Sequence, residues 1–319
     1  MLTAARALMK SRQDGGREFP KVDEFYDLYQ GGWKPRYGEM SMVSARSGAG
    51  KSTFSLFFAL KSGLKTLYFS GDMSAFQASV KLACAVRHET IETVVGKLEG
   101  GERQDILNAL PSNISFTFGE ITKREVDKAI DAYVELYNEY PELIVVDNLM
   151  DIEGCEDDYK AQMAAMQWLH NLSRELNTAV WVMSHATDKG ERGKNSPHEP
   201  PPRSEIKNGM SEKPETVLTV ALNPHTEEMN VAIVKQRLGF QDASARQYVS
   251  LKAVPAESRY ERKGGITYKP TGMRETDGGE DTGAAQERQE QGQGSGLGTG
   301  GSEGTTSTWL RRGAATSQW

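Results

Sequence analysis

The feature that most constrains the fold of this chain is a regular alternation of short apolar runs with longer segments of helical spacing. Unbroken apolar runs are typical of parallel strands that helices cover on both faces. We predict such strands at residues 38–44, 66–70, 114–118, 142–148 and 179–185. Helical periodicity predicts helices at residues 52–61, 75–87, 125–137 and 159–176. The pattern therefore indicates the α/β class, with a mainly parallel sheet flanked by helices.

The pattern changes after about residue 216, where strand-like runs follow one another without helices between them. Three runs, VLTVAL, MNVAIVKQR and ARQYVSLKAV, are joined by the polar turns NPHTEE and LGFQDAS. Closely spaced strands of this kind form antiparallel hairpins. We therefore expect the α/β domain to occupy residues 19–263 and to end in a C-terminal antiparallel hairpin extension.

Two flanking segments differ from this domain in composition. Residues 264–319 are rich in Gly, Gln, Ser and Thr, and they bury too little apolar surface to fold alone. We expect a disordered low-complexity tail there. The arm at residues 1–18 carries one short apolar stripe, formed by Leu2, Ala5, Leu8 and Met9. The arm is either a helix that docks on a neighbouring subunit or a disordered linker, since so short a helix is marginal alone.

Charge and cysteine content exclude several classes of protein. The net charge of -6 argues against a uniformly basic coat for nucleic acid, but it is compatible with a local basic channel. The two cysteines, Cys84 and Cys155, are far apart and provide neither a disulfide framework nor metal-ligand spacing. The sequence shows no signal-peptide core and no apolar run long enough for a membrane span. We therefore expect a soluble protein of the cytoplasm.

The stretch SARSGAGKST, at residues 44–53, joins the first predicted strand to the first predicted helix. It matches the phosphate-binding pattern G-x-x-x-x-G-K-[ST] except at the first position, where the chain has Ala45. Backbone N–H groups at such a junction bind phosphate oxygens, while Lys51 reaches the β- and γ-phosphates and Ser52 binds Mg²⁺. The residues predicted to bind ATP are Ser47, Gly48, Ala49, Gly50, Lys51, Ser52 and Thr53. The alternative is a glycine-rich turn without a ligand.

Ala45 leads to a prediction about the geometry of this loop. A Cβ is poorly tolerated at positive φ, so we expect Ala45 to have negative φ and Gly48 and Gly50 to take the left-handed conformations. A left-handed Ala45 would instead store strain of order 1 kcal/mol.

Three polar residues follow the ends of predicted strands, where the crevice of a parallel sheet lies. Asp147 ends the strand LIVVD and is placed to orient Mg²⁺ and its waters. Asp72 lies just past the strand TLYFS and is a candidate general base for an attacking water. His185 ends the strand AVWVMSH and is placed to hydrogen-bond a γ-phosphate. Each residue has a simpler alternative, as an ordinary strand-end or turn residue, which the sequence leaves open.

Cationic residues form two further groups. A long polar segment after the fifth strand suits the phosphodiester backbone of single-stranded DNA. Its cations are Lys189, Arg192, Lys194 and Arg203. The second group, Lys235 and Arg237, lies at the end of a predicted hairpin strand and has no obvious partner in its own crevice. In a ring these two cations would reach a neighbour's γ-phosphate, and the alternative is a solvated basic hairpin.

Together these motifs resemble the RecA-like motor domain of DnaB-type replicative hexameric helicases, in the short form found in phages. The resemblance extends over residues 25–251 and rests on ARSGAGKS, FSGDMS, LIVVDNLMDI, LSRELNTAVWVMSH, RSEIKNGMSEKPETVLTV and VAIVKQRLGF. It implies a RecA-like P-loop NTPase fold, ATP and Mg²⁺ as cofactors, and a hexameric homo-oligomeric ring on single-stranded DNA. It also implies that Asp147 supports the metal, Asp72 stands in for the catalytic glutamate and His185 senses the γ-phosphate. Arg237, with Lys235, would act in trans.

The chain departs from the family pattern at three positions. Ala45 replaces a glycine, Asp72 is one methylene shorter than the usual glutamate, and His185 replaces a glutamine. The helical collar domain of the cellular enzymes has no counterpart, so we expect the ring to close through the motor domain and the arm. The end of the tail, TWLRRGAATSQW, is either a frayed chain end, which we favour, or a short motif that contacts replisome proteins.

The resemblance predicts an ATP-dependent DNA helicase that acts in phage DNA replication. One alternative is a recombinase-like or accessory DNA-binding ATPase that shares the nucleotide site but does not unwind duplexes. A second alternative is a nucleotide-gated DNA-binding subunit, in which Asp72 is too short to support turnover.

Overall fold

The computed structural model describes residues 16–187 and 198–268. Most of the predicted arm and of the predicted tail lies outside these residues, so both remain predictions. Within the described residues, the chain forms an α/β domain built on one large sheet.

Ten strands of the described chain make up this sheet. They are β1 (Met40–Ala45), β2 (Thr66–Ser70), β3 (Ile114–Phe118), β4 (Leu143–Asp147), β5 (Ala179–His185), β6 (Thr216–Asn223), β7 (Glu228–Gln236), β8 (Gln247–Val254), β9 (Arg259–Arg262) and β10 (Thr267–Tyr268). Their order is β10-β8-β7-β6-β1-β5-β4-β2-β3, and β9 also pairs with β8. Pairing is parallel from β6 to β3 and antiparallel among β6 to β10. The predicted parallel sheet with an antiparallel extension is confirmed.

Seven α-helices lie within the described residues. They are α1 (Tyr26–Gln30), α2 (Lys51–Ser62), α3 (Ala75–Arg87), α4 (Ile91–Glu99), α5 (Arg103–Ala109), α6 (Lys123–Tyr137) and α7 (Tyr159–Glu175). The four predicted helices are all present, with ends within two residues of the predicted ones. Helices α1, α4 and α5 have no counterpart in the prediction. None of the described helices is both long and apolar enough to cross a lipid bilayer.

Several helices begin where a side chain accepts hydrogen bonds from their first backbone N–H groups. Ser74 and Gln77 form a reciprocal capping box at the start of α3, with bonds of 3.2 and 3.0 Å. Thr122 caps α6 and Asp158 caps α7 in the simpler one-sided way. Because each cap directly follows a loop from the sheet, it fixes the point at which the chain turns from the crevice into a helix.

The sheet separates two hydrophobic clusters. On one face, the rings of Phe58 in α2 and Trp181 in β5 stack with centroids 4.5 Å apart. Phe25 and Trp33, from the N-terminal segment, each meet Phe58 edge-on at 5.4 Å. On the other face, α6 and α7 cover the sheet, with Met166 fully buried. Burying one large apolar side chain, such as Phe25, contributes about 1.5–3 kcal/mol. The segment before β1, which carries Phe25 and Trp33, is therefore an integral part of the core.

The parallel strands β1, β2, β4 and β5 have their carboxyl ends at the same edge of the sheet, where β1 ends level with β5 and β2 ends level with β4. Ala45 of β1 lies beside His185 of β5, and Ser70 of β2 lies beside Asp147 of β4. Since β5 and β4 are also neighbours, the loops that follow these four strands meet at one edge of the sheet. Parallel sheets bind ligands at this edge.

The domain extends past its predicted carboxyl end. Thr267 and Tyr268 pair with Tyr248 and Gln247 of β8, so ordered structure continues beyond the predicted boundary at residue 263. Two glycines, at 264 and 265, both have positive φ and turn the chain back towards the sheet. The change in composition at these glycines predicts that the tail begins there. In the structure they form a turn between β9 and β10.

Candidate functional site

The loop of residues 46–50 connects β1 to α2 in the conformation expected of a phosphate-binding loop. Gly48 and Gly50 have φ values of 72° and 82°, whereas Ala45 ends β1 and is not among the residues with positive φ. The prediction for Ala45 is therefore confirmed. Gly50 also lies close to other parts of the chain, because a Cβ there would be 3.1 Å from the methyl group of Met229. The N-terminus of α2 points its first N–H groups into the crevice.

Lys51, the first residue of α2, projects into the crevice. The residue is only 7% exposed, and its Nζ lies 3.3 Å from Nδ1 of His185. The ammonium group carries only donors, so Nδ1 of His185 accepts this hydrogen bond. The structure thus brings together two residues that the sequence placed at the γ-phosphate, although they are 134 positions apart.

Asp147 is buried beside the start of α2 and accepts hydrogen bonds from two hydroxyl groups. The Tyr68 hydroxyl donates to Oδ2 at 2.7 Å, and the Ser52 hydroxyl also bonds to the carboxylate. Burial raises the pKa of Asp147 above its ordinary value, and these hydrogen bonds and the Lys51 charge partly oppose that rise. A cation next to Asp147 would offset the cost of burying this carboxylate.

The oxygen atoms near Asp147 fit Mg²⁺ bound together with a nucleotide. Mg²⁺ usually takes one or two protein oxygens and completes its shell with waters and phosphate oxygens. The Ser52 hydroxyl and the Asp147 carboxylate supply two such oxygens in contact with each other. The described residues contain no group of three or more His, Cys, Asp or Glu that would hold a metal by themselves. The site therefore suits a metal that arrives with its phosphates.

Asp72 lies at the end of β2, beside Asp147. It is exposed, and its Oδ2 accepts a hydrogen bond of 3.3 Å from Nδ2 of Asn148. Asn148 directly follows Asp147 and is not among the residues singled out from the sequence. In the sequence, Asn148 is visible only as an amide next to the carboxylate in LIVVDN. That it lies close to Asp72 follows only once β2 and β4 are known to be neighbours.

Lys81 and Arg46 are two further cations near the loop that sequence reasoning missed. Lys81 of α3 donates to the Thr53 hydroxyl at 2.8 Å. Burial lowers the pKa of Lys81, and the negative charge of Asp147 partly opposes this decrease. Arg46 forms an ion pair of 2.7 Å with Glu205, and both side chains are largely shielded from water. Arg46 also donates to the backbone carbonyl of Glu199. The phosphate loop is thus attached to the segment that follows β5.

The segment after β5 is described only at its two ends. Ala186 forms an antiparallel bridge with Ile206, and the backbone N–H of Thr187 donates to the Glu205 carbonyl at 2.8 Å. Arg203, a predicted DNA contact, is half-buried and donates to the Ser211 hydroxyl at 3.0 Å. The other predicted contacts, Lys189, Arg192 and Lys194, lie outside the described residues, and their role remains a prediction.

Lys235 does not have the exposed position expected of a cation that reaches a neighbouring subunit. It is only 8% exposed, and its Nζ donates to the carbonyls of Ser211 and Glu212 at 2.8 and 2.7 Å. Burial, with the nearby charge of Arg237, lowers the pKa of Lys235 to about 8. Lys235 of β7 lies under the turn that precedes β6, and its two hydrogen bonds to backbone carbonyls hold this turn in place.

Arg237 lies just past the end of β7, and its side chain is 48% exposed. Its backbone N–H donates to the carbonyl of Glu215, which precedes β6, and one guanidinium nitrogen lies 3.8 Å from the Glu215 carboxylate. Glu215 in turn accepts from the backbone N–H of Met40, the first residue of β1. Arg237 is therefore at the amino end of β1, whereas the phosphate loop is at its carboxyl end. The length of a six-residue strand, about 20 Å, separates the two.

The Glu215 carboxylate is the centre of a buried polar cluster at this amino end. Its Oε1 is 2.9 Å from Nε2 of His170 and 3.1 Å from a guanidinium nitrogen of Arg174. Burial alone would raise the pKa of Glu215, but the bonds from His170 and Met40 and the charge of Arg237 outweigh it. The pKa is held below its ordinary value.

This depressed pKa makes the stability of the domain sensitive to acid. A carboxyl group whose pKa is lower in the folded state contributes stability above its unfolded pKa, and loses it as pH falls through the folded pKa. We expect the difference in free energy of unfolding between wild type and Glu215→Gln to shrink as pH is lowered from about 5 to about 3. Urea unfolding across this range measures it. Glu139→Gln, which removes an exposed ion pair with Lys65, is the control and should change little. A difference that stays constant with pH would contradict the prediction.

Comparison with known proteins adds independent evidence. The model of the DnaB-like helicase C terminal domain matches residues 20–250. The gene 65 protein of Mycobacterium phage L5 is 33% identical over 263 residues, which is 76% of this chain and 92% of the relative. The gene 65 protein of Mycobacterium phage D29 is 30% identical over 234 residues, covering 67% of this chain and 95% of the relative.

Two solved structures share the fold. One is an ATPase domain, which superposes with a TM-score of 0.62 at 15% identity, over 81% of this chain and 97% of that one. The other is a DnaB-like replicative helicase, described with its interactions with primase, which superposes with a TM-score of 0.64 at 14% identity, over 81% of this chain and 66% of that one. The match to the family model covers most of the domain described above, from the N-terminal core segment to β8. The chain therefore belongs to the DnaB-like helicase C-terminal domain family, a family of ATP-hydrolysing helicases.

Proposed function

We propose that this protein is an ATP-driven DNA helicase that moves along single-stranded DNA as a homo-oligomeric ring, with six subunits. The observation that carries the proposal is that two parts of the proposed ATPase site, the nucleotide-binding part and the arginine, lie far apart within one chain. The phosphate loop follows the carboxyl end of β1 and Asp147 ends β4 at the same edge of the sheet, whereas the exposed Arg237 lies at the amino end of β1. A second copy that places its Arg237 at this chain's phosphate loop completes the site. Repeating that contact generates a head-to-tail ring.

In this proposal each residue of the crevice has one task in ATP hydrolysis. Lys51 and the N–H groups of the loop bind the phosphates, and Ser52 and Asp147 would hold Mg²⁺, which would neutralise charge on the phosphate oxygens. Asp72 orients the attacking water and accepts its proton. His185 hydrogen-bonds the γ-phosphate and responds to its loss. The supporting observation is that Lys51 and His185 already lie within hydrogen-bond distance.

The DNA contacts in the proposal lie on the segment after β5. We assign Lys189, Arg192, Lys194 and Arg203 to the sugar–phosphate backbone, because the two described ends of this segment lie at the crevice edge of the sheet. The ion pair between Arg46 and Glu205 joins the phosphate loop to the described end of this segment, and we propose that binding of DNA affects hydrolysis through it. The tail is proposed to contact other replication proteins, and the phage relatives suggest the cytoplasm of a bacterial host as the place of action.

Unwinding of a forked DNA duplex tests the proposal directly. With ATP and Mg²⁺, the full-length protein is expected to separate a fluorescently labelled fork, and single-stranded DNA is expected to raise its ATPase rate. Lys51→Ala is the matched inactive control for both assays. Electron microscopy with a nonhydrolysable ATP analogue and single-stranded DNA should show closed rings.

Three other outcomes would point away from a helicase. ATP hydrolysis that DNA does not stimulate, without strand separation, contradicts the motor. Filaments in place of rings, together with pairing of complementary strands, indicate a recombinase-like ATPase. Tight ATP binding without turnover indicates a DNA-binding subunit in which the nucleotide controls DNA binding but is not hydrolysed.

A further inference from the structure

Asn148 is a buried polar residue of the crevice, between Asp147 and the turn Leu149–Asp151. It directly follows β4 and is only 4% exposed. Its Nδ2 lies 3.3 Å from Oδ2 of Asp72, which follows the neighbouring strand β2. The side chain of Asn148 therefore connects the ends of two adjacent strands at the place where hydrolysis is proposed to occur.

The orientation of the Asn148 amide is fixed by its other hydrogen bonds. The backbone N–H of Met150 donates to Oδ1 of Asn148 at 2.7 Å, so the oxygen is the atom that faces the following turn. The nitrogen must then face Asp72, since an amide carries its acceptor and its donors on different atoms. The backbone N–H of Asn148 donates in turn to Oδ2 of Asp151 at 3.0 Å, which completes a reciprocal cap of the turn Leu149–Asp151.

The backbone next to Asp72 is packed against the same turn. The backbone N–H of Gly71 donates to the Asp147 carbonyl at 2.8 Å. A Cβ added at Gly71 would lie 2.3 Å from Cβ of Asp151, so only glycine allows this close approach. The turn that orients Asn148 thus also fixes where the chain carries Asp72.

We propose that Asn148 is a positioning residue that holds the Asp72 carboxylate towards the attacking water. The Nδ2 group engages Oδ2 and leaves Oδ1 to take the proton, as the water oxygen bonds to the γ-phosphorus and the bond to the departing ADP oxygen breaks. A short aspartate side chain reaches less far than glutamate, and a fixed donor limits the rotation that would turn it away. The inference rests on the proposed role of Asp72 as the base.

The variant Asn148→Ser tests this role. Serine keeps an oxygen that caps the turn, but it lacks a group that reaches Asp72. We expect kcat for ATP hydrolysis to fall about 10- to 100-fold, as for the loss of a hydrogen bond to a charged group, while KM for ATP is unchanged. Asn148→Thr provides the same test if the serine variant proves unstable in a thermal melt.

A double-mutant cycle separates positioning from a general structural effect. In an Asp72→Ala background, Asn148→Ser is expected to cause no further loss, because nothing remains for Asn148 to orient. Residual rates are measured by release of radiolabelled γ-phosphate. Asn113→Ser is the matched control, since the Asn113 side chain donates to the carbonyls of Ala59 and Leu64, away from the crevice. It should leave kcat unchanged.

The results distinguish the inference from the proposed function. If Asp72→Ala is slow and Asn148→Ser slows it further by the same factor as in wild type, the positioning role is overturned while Asp72 keeps its assignment. The same holds if Asn148→Ser hydrolyses ATP at the wild-type rate. If Asp72→Ala itself hydrolyses ATP like wild type, the base is wrongly assigned and the role of Asn148 is overturned with it.

Discussion

Replacing Lys51 by alanine is expected to lower kcat for ATP hydrolysis by about 10²- to 10³-fold, the usual effect of removing one group that stabilises charge in the transition state. The expectation follows from the position of the ammonium group. Lys51 is nearly buried at the start of α2, and its Nζ is held 3.3 Å from His185, so it has little freedom to point elsewhere. Lys81, another cation near the loop, is bonded to the Thr53 hydroxyl and would have to move to replace it.

Steady-state phosphate release, with and without single-stranded DNA, measures the loss. Lys61→Ala is the matched control, because Lys61 lies in the last turn of the same helix and forms an ion pair of 2.7 Å with Glu24. It tests whether losing a lysine from α2 has an effect of its own. Equal rates for wild type and Lys51→Ala would show that the loop of residues 46–50 is not the site of hydrolysis.

Arg237→Ala is expected to lower the ATPase rate by roughly 10³- to 10⁵-fold, the effect of removing an arginine finger. The Arg237 side chain lies at the amino end of β1 and cannot reach its own phosphate loop, so the loss would arise between subunits. Binding of ATP to each subunit should persist, since Lys51 and the loop are intact. Arg262→Ala is the matched control, because the Arg262 side chain is 49% exposed and pairs with Asp27 rather than with Glu215.

Mixing two inactive variants tests whether Arg237 acts in trans. A subunit with Arg237→Ala still provides Lys51, and a subunit with Lys51→Ala still provides Arg237. In a randomly assembled equal mixture, about a quarter of the interfaces combine the two intact halves. ATPase activity should therefore reappear on mixing. If it stays absent at every ratio, although the subunits exchange, Arg237 does not complete a neighbour's site.

Features that depend on neighbouring residues could be predicted from the sequence. The strand that ends at Ala45, the glycines at positive φ and the helix that starts at Lys51 all lie within one short stretch. The buried strands β4 and β5 follow from their unbroken apolar runs, and the polar residues at their ends then fall at the crevice. Local pattern was sufficient because burial on both faces leaves few alternatives for such strands.

The parts that escaped prediction depend on contacts between distant segments. Lys235 and Arg237 look alike in KQR, but β7 ends between them, so one is held under the turn before β6 and the other is exposed. The ion pair of Arg46 and Glu205 joins positions 159 residues apart, which no local pattern reveals. Helices α4 and α5 pack with α3 around a small hydrophobic cluster of their own. To this cluster α4 contributes one buried residue, Val94, and α5 contributes one, Ile106, which is too few to give a clear helical period in the sequence.

The Arg46–Glu205 ion pair has a consequence for how this protein should respond to ionic strength. Contacts to DNA phosphates weaken steeply with salt, by about 0.7 in the logarithm of the binding constant per contact and per tenfold change in concentration for single strands. An ion pair shielded from water is screened far less, and both of these side chains are mostly covered. Raising the salt concentration should therefore break the proposed contacts to DNA while the phosphate loop stays attached to the segment after β5. A salt-released subunit would keep its nucleotide-binding geometry and be ready to engage a new strand once the salt is lowered.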